Sequence, residues 1–193
     1  MKTILGLFIN VVRYINLFLI VILLFGCNTK TNIEEFEIDG IFYKVISSSE
    51  KTVAITNYGG TSNMLYGGYS GSIFINQSIN YDGTTYKIIS IDESAFQNCT
   101  NLKNVNLPNS ITNIGEWAFA NCTNLVSIKL PEGIEEIGEM TFAHCSSLNK
   151  INIPSSVKTI GHSAFAGCTE ITKIILPNKL ETIDDWAFQD CKI

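Results

Sequence analysis

The chain has 193 residues, 13 basic against 18 acidic, and a formal net charge of −5. Only 16% of the residues are charged, well below the roughly 25% of an ordinary soluble domain, and Arg13 is the single arginine. Cations this few and this scattered argue against nucleic acid as a partner, because clustered Lys and Arg are needed to displace its counterions.

Taken in chain order, the first element is an N-terminal address. Lys2 and Arg13 make a basic region without acids, and Tyr14–Phe25 follows as a twelve-residue apolar stretch broken only by Asn16. Twelve residues fall within the roughly 7–15 of a signal-peptide core and short of the roughly 20 of a spanning helix. Leu24-Phe25-Gly26-Cys27 resembles a bacterial lipoprotein signal, which implies cleavage before Cys27 and acylation of that cysteine. The alternative is an uncleaved N-terminal anchor. Both readings place the rest of the chain outside the cytoplasm, held at a membrane, and leave it 11 basic against 18 acidic residues. Residues 28–32 are polar and read as a short tether.

Residues 33–87 read as a small β-rich N-terminal cap whose last strand feeds the element that follows. Asp39-Gly40 and Asp82-Gly83 each sit between strand-forming residues, and Asp-Gly favours the type I′ turn of a two-residue hairpin. Gly59-Gly60 and Gly67-Gly68 mark its loops.

From residue 88 to 193 the sequence repeats itself. Phe96, Phe119, Phe142, Phe165 and Phe188 recur every 23 residues, as do Cys99, Cys122, Cys145, Cys168 and Cys191. All four prolines, Pro108, Pro131, Pro154 and Pro177, keep the same spacing. A fixed period of this length marks a solenoid, in which no unit can bury its own apolar side and each covers its neighbours. Val105 and Leu107 point one way at period two, the pattern of a short strand with one buried face. Pro108 cannot donate to a ladder and ends that strand. Ile111-x-x-Ile114-Gly115 predicts a second short extended piece and a turn. Ala118-Phe119-x-x-Cys122 predicts a single tight helical turn that drives Phe119 inward. The fifth unit stops at Ile193, so the strand expected at Ile171–Leu176 has no following neighbour. An uncovered parallel edge of that kind offers a route to self-association, which would make the chain a structural or assembly component; the alternative is that the chain is a truncated relative of a longer array.

One unit reads Ile-x-x-Ile-Gly-x-x-Ala-Phe-x-x-Cys-x-x-Leu-x-x-Ile-x-Leu-Pro. Over Ile88–Ile193 this resembles the bacterial BspA-like leucine-rich repeat family, and residues 36–87 look like the segment that precedes such repeats there. The resemblance implies a β-rich leucine-rich repeat solenoid of short parallel strands and short helical turns. It also implies a surface protein that adheres to a host or other extracellular protein, a matrix component or a glycan; with the Leu24–Cys27 signal, the expectation is a non-catalytic protein of the bacterial envelope, lipid-anchored in the outer membrane.

The residues that could carry chemistry have plainer readings. Five repeat cysteines are an odd number. Stacked positions hold their side chains parallel and about 4.8 Å apart, whereas a disulfide needs Cβ atoms converging to about 3.8 Å, so these are reduced core cysteines. No zinc-type spacing occurs. His144 and His162 fall at variable repeat positions. Gly68-Tyr69-Ser70-Gly71-Ser72 lacks the final glycine and the following helix of a nucleophile elbow. No cofactor and no metal are expected.

Two surface features remain. Lys103, Lys129, Lys150 and Lys173, with Asn104, Asn106, Asn149 and Asn152, form a basic, amide-rich strand face suited to an acidic protein or glycan. Asp92, Glu93, Glu116, Glu135, Glu136, Glu139, Asp184 and Asp185 form an acidic ridge on the other arc. Trp117, Met140 and Trp186 share one repeat position that holds serine at Ser94 and Ser163. They are therefore expected to be partly exposed, either packing on the outer turn or serving as binding anchors.

Overall fold

The computed structural model describes residues 34–57 and 68–193. The lipoprotein signal with Cys27, the 28–32 tether and the Gly59-Gly60 and Gly67 loop positions lie outside the described residues. The described residues belong to one unit.

Two hairpins begin the architecture. β1 (Glu35–Ile38) and β2 (Ile41–Ser47) are antiparallel, as are β5 (Ser78–Tyr81) and β6 (Thr84–Ile91). Their two-residue turns are Asp39-Gly40 and Asp82-Gly83, and all four residues have positive φ, as a type I′ turn requires. β3 (Thr52–Thr56) pairs antiparallel with β2 and parallel with β6, giving the order β1-β2-β3-β6-β5. Phe36 stacks on Tyr81 at 3.8 Å between centroids beneath this sheet's hairpins.

The 23-residue coils then build two parallel sheets, one on each of two sides. The first sheet is β4 (Gly71–Phe74), β7 (Leu102–Asn106), β9 (Ser127–Lys129) and β11 (Lys150–Ile151). The second contains β10 (Glu136–Ile137), β12 (Thr159–Ile160) and β13 (Thr182–Ile183), while β8 (Asn113–Ile114) pairs with the end of β6. The N-terminal segment thus supplies a first rung to the coils. Ile55 pairs with Ile91, which pairs with Ile114, and Ile73 pairs with Val105, which pairs with Ile128. The segment Ile171–Leu176, expected as the fourth coil's strand, forms no ladder, and the first sheet ends at β11.

The third side of each coil departs from expectation. Among the described residues there is no helix, so the tight helical turn expected at Ala118–Cys122 is replaced by successive β-turns. Asp92 accepts from Ala95, Ser94 from Gln97 and Phe96 from Cys99. Ser94, Trp117, Met140, Ser163 and Trp186 have φ between 49° and 60°, which no α-helix contains. Asn98, Asn121, His144, Gly167 and Asp190 are left-handed too. The left-handed residues fall third in their turns, where a type II turn needs positive φ.

This geometry makes a third inter-coil ladder. The N–H groups of Trp117, Phe119 and Asn121 donate to the carbonyls of Glu139, Thr141 and Ala143 in the next coil, at 2.8–3.0 Å. The coils before and after repeat the set, so the turn arc is tied by backbone bonds without being a sheet. Buried N–H and C=O groups are thereby satisfied.

Inside run the two columns. Phe96, Phe119, Phe142, Phe165 and Phe188 stack nearly parallel, with centroids 4.9, 5.4, 5.3 and 5.3 Å apart. The cysteines are free, and each thiol from Cys122 onward donates to the phenylalanine carbonyl of the previous coil. Gly115 has an ordinary φ but lies where the coils nearly touch: a Cβ there would sit 2.7 Å from the Asp92 carbonyl carbon.

Candidate functional site

The outward side chains of the first sheet line a groove of about 870 Å³. Alternation along a strand creates it: Ile73, Val105 and Ile128 turn inward, so their neighbours on either side turn out. Strand register sorts those neighbours into two rows. One contains Ser72, Asn104, Ser127 and Lys150, and the other Phe74, Asn106 and Lys129; Lys173 follows Lys150, and Asn152 and Ile175 follow Lys129, at the 23-residue spacing beyond the paired strands and line the same groove. In the first row the Ser127 hydroxyl donates to Asn104 Oδ1 at 2.7 Å, and Asn104 Nδ2 donates to the Ser72 hydroxyl at 2.9 Å. The hydrogen-bonded row holds Asn104 in one orientation.

Of the four lysines expected on this face, Lys129, Lys150 and Lys173 line the groove. Lys103 does not. It precedes Asn104 at a position whose repeat equivalents are Val126, Asn149 and Thr172, one step out of register with the rows, and of these only Asn149 reaches the groove. Lysine spacing along the sequence hides this, because a one-residue step changes the direction of a strand side chain. The ion pairs among the described residues engage Lys44 with Asp92, Lys158 with Glu135 and Lys192 with Glu170. The three groove lysines face a single lining carboxylate, Glu132, and have no ion-pair partner among the described residues. The groove is therefore cationic on a chain that is acidic as a whole.

Trp117, Met140 and Trp186 stand apart from this face, on the turn arc. Trp117 and Met140 are half-buried, and Trp186 is 65% exposed, with the His162 ring edge-on at 5.1 Å. Their common feature is positive φ, which bulky residues adopt rarely. The sequence signal for it lies four positions on, where Asn98, Asn121, Gly167 and Asp190 occupy a second left-handed site with residues suited to it.

The acidic ridge is partly neutralised. Lys44 pairs with Asp92 at 2.7 Å, and the Lys158 hydrogen bond and charge hold the Glu135 carboxyl below its ordinary range. Among the described residues no cluster of three or more His, Cys, Asp or Glu side chains is placed to hold a metal. The cysteines are poorly suited to chemistry as well: burial pushes the Cys99 and Cys168 thiols up to about 12, away from the reactive thiolate.

Sequence reasoning missed Tyr69, which sits at the head of the phenylalanine column. Its ring lies 4.7 Å from Phe96. Its hydroxyl donates to the Thr56 carbonyl at 2.9 Å and accepts from the Phe42 amide at 3.1 Å. Tyr69 thereby joins the first sheet's opening strand to β2 and β3.

A family model for the BspA type leucine-rich repeat region matches residues 70–193 in six copies. Its first matched residue immediately precedes β4. A comparison with curated proteins finds no match. Among solved structures, a leucine-rich repeat protein from Bacteroides ovatus is 31% identical with a TM-score of 0.66, covering 77% of this chain and 36% of its own. A T. pallidum leucine-rich repeat protein is 30% identical with a TM-score of 0.67, covering 82% of this chain and 68% of its own. A leucine-rich cell surface protein from Faecalibacterium prausnitzii, 22% identical with a TM-score of 0.61 over 81% of this chain and 46% of its own, shares the fold. The chain spans about a third of the Bacteroides ovatus protein's length.

Proposed function

Because the chain belongs to the BspA type leucine-rich repeat family, we propose that it is a lipid-anchored protein of the bacterial cell surface that binds an extracellular macromolecule through its grooved sheet. Proteins of this repeat type are binding scaffolds, and none of the relatives points to an enzyme. The observation that carries the reading is the row geometry. Lys129, Lys150 and Lys173 project from neighbouring coils into one groove, beside the amides of Asn104, Asn106, Asn149 and Asn152. Parallel strands about 4.8 Å apart repeat these groups at a fixed step, so individually weak contacts act together on an extended partner. Complementary potential raises association rate and selectivity. The anchor rests on the Leu24–Cys27 signal.

Two measurements test this. Protease shaving of intact cells is expected to remove the protein, and protection from the protease contradicts a surface role. Reversing Lys129, Lys150 and Lys173 to glutamate is expected to abolish adhesion to anionic surfaces and flatten its salt dependence. Unchanged adhesion in that variant contradicts the groove.

A further inference from the structure

At one end the groove opens into a smaller pocket of about 250 Å³, and Phe74, Asn106 and Lys129 line both. We propose that this pocket is a sugar subsite, and that the groove's ligand is an anionic polysaccharide whose charged units continue from Lys129 along Lys150 and Lys173. The proposal rests on the binding role of the groove and names its ligand class.

Three observations converge. First, Phe74 lies on the outermost strand of the first sheet, β4, is 69% exposed, and makes no aromatic contact among the described residues. An aromatic ring carries a negative face that attracts the slightly positive C–H groups of a pyranose. Second, four amide side chains line the pocket together with that ring: Asn76 and Gln77 from the segment after β4, Asn106 from β7, and Asn109 from the turn after Pro108. Each carries two N–H donors beside a carbonyl acceptor, the complement of adjacent sugar hydroxyls. The side chains of Asn76, Gln77 and Asn106 have no hydrogen-bond partner among the described residues, and Asn109 uses only its carbonyl, accepting from the Glu132 amide at 3.4 Å. Third, Lys129 stands at the junction without an ion pair among the described residues, so a carboxylate or sulfate meets one cation in the pocket and two more in the groove.

Phe74, Asn106 and Lys129 share one register row. Ring, amide and cation therefore succeed one another on adjacent strands. An acidic peptide is the poorer fit. Protein interfaces draw affinity from apolar and aromatic anchors seated in pockets, and the two outward rows with their continuation hold only Phe74 and Ile175, one at each end of the groove.

The test is calorimetric titration of the full chain in detergent with a short heparin oligosaccharide, neutral dextran and poly-glutamate. Three variants are compared: Phe74→Ala, Asn106→Asp, and Lys129, Lys150 and Lys173 together to glutamine. Because Phe74 and Asn106 point outward, both single variants are expected to keep the wild-type circular dichroism. The heparin oligosaccharide is expected to bind, and each single variant to weaken it by about tenfold or more. Poly-glutamate is expected to bind more weakly and to ignore Phe74→Ala. If both single variants bind heparin normally while the lysine variant does not, the sugar subsite is overturned and the cationic groove stands. Dextran binding as tightly as heparin overturns the anionic assignment. Poly-glutamate binding that is equally strong and depends on Phe74 overturns the glycan in favour of a peptide. If no anionic probe binds, both the subsite and the groove reading fall.

Discussion

Truncating Phe142 to alanine probes the stacking of coils most sharply. Phe142 is completely buried and sits mid-column, with Phe119 at 5.4 Å on one side and Phe165 at 5.3 Å on the other. Its backbone N–H is bonded to Ala164 at 2.8 Å and its carbonyl accepts the Cys168 thiol at 3.1 Å. These bonds pin the following coil, and the Phe119 N–H on the Thr141 carbonyl at 2.9 Å with the Cys145 thiol on the Phe119 carbonyl at 3.1 Å pins the preceding one, so neither coil closes over the void. A phenylalanine-to-alanine cavity costs about 3–5 kcal/mol, and the upper half of that range is expected where the site cannot collapse and two ring contacts are lost. Phe188 supplies the internal control. It has one stacking partner, Phe165, and is only half-buried, so Phe188→Ala is expected to cost about half as much or less. Urea unfolding of both variants reads the difference as a shift in midpoint. A loss below about 1 kcal/mol for Phe142→Ala, or equal losses for the two, refutes an inward column whose middle is clamped from both sides.

Other outcomes follow from the same contacts. Gly115→Ala forces a Cβ against the Asp92 and Glu93 backbone and is expected to cost about 1–3 kcal/mol by overpacking. The equivalent Gly138→Ala meets nothing closer than 3.6 Å and is expected to remain near wild type in the same urea assay. Tyr69→Phe removes the hydroxyl that donates to Thr56 and is expected to cost about 1–2 kcal/mol, read as a lower thermal midpoint. Burial raises the Cys99 and Cys168 thiols to about 12, so the folded state retains protons that the unfolded state releases near the ordinary thiol range of about 8.5. Stability from this source is fully present below that range and is lost as pH rises through the folded values. The urea midpoint is expected to decline between about pH 9 and 11, and less steeply in Cys168→Ala; identical slopes contradict the assignment.

The parts of the fold that translate unchanged from unit to unit were legible in the chain. Phenylalanine, cysteine and proline at a period of 23 force like side chains onto like, and Asp-Gly between strand formers fixed both hairpins through φ alone. What resisted reading broke the period or hid in backbone conformation. The β5–β6 hairpin is inserted into the coil that starts with β4, so Tyr69 precedes Phe96 by 27 residues rather than 23, and its place at the head of the column was invisible. The turn arc looked helical because Ala-Phe-x-x-Cys has helical spacing. Tryptophan and methionine at Trp117, Met140 and Trp186 gave no warning of left-handed backbone, and only the Asn, Gly and Asp column four residues later carried it. For the groove, composition found lysines and amides on the strand, but register decided which of them converge. Lys129 and Lys150 belong to the register rows, Lys173 lines the groove beyond the last paired strand, and Lys103 does neither. The pocket around Phe74 lay beyond sequence reasoning, since Asn76, Gln77 and Asn109 come from connections outside the strand pattern.

The most direct measurement is amide chemical-shift mapping of the isotope-labelled full chain in detergent as the heparin oligosaccharide is added. Perturbations are expected at Ser72, Phe74, Asn104, Asn106, Ser127, Lys129 and Lys150, with Lys103, Trp117, Met140 and Trp186 unmoved. Shifts concentrated on the Trp117–Met140–Trp186 arc, with the sheet rows silent, would place binding on the turns and contradict a ligand held by the grooved sheet.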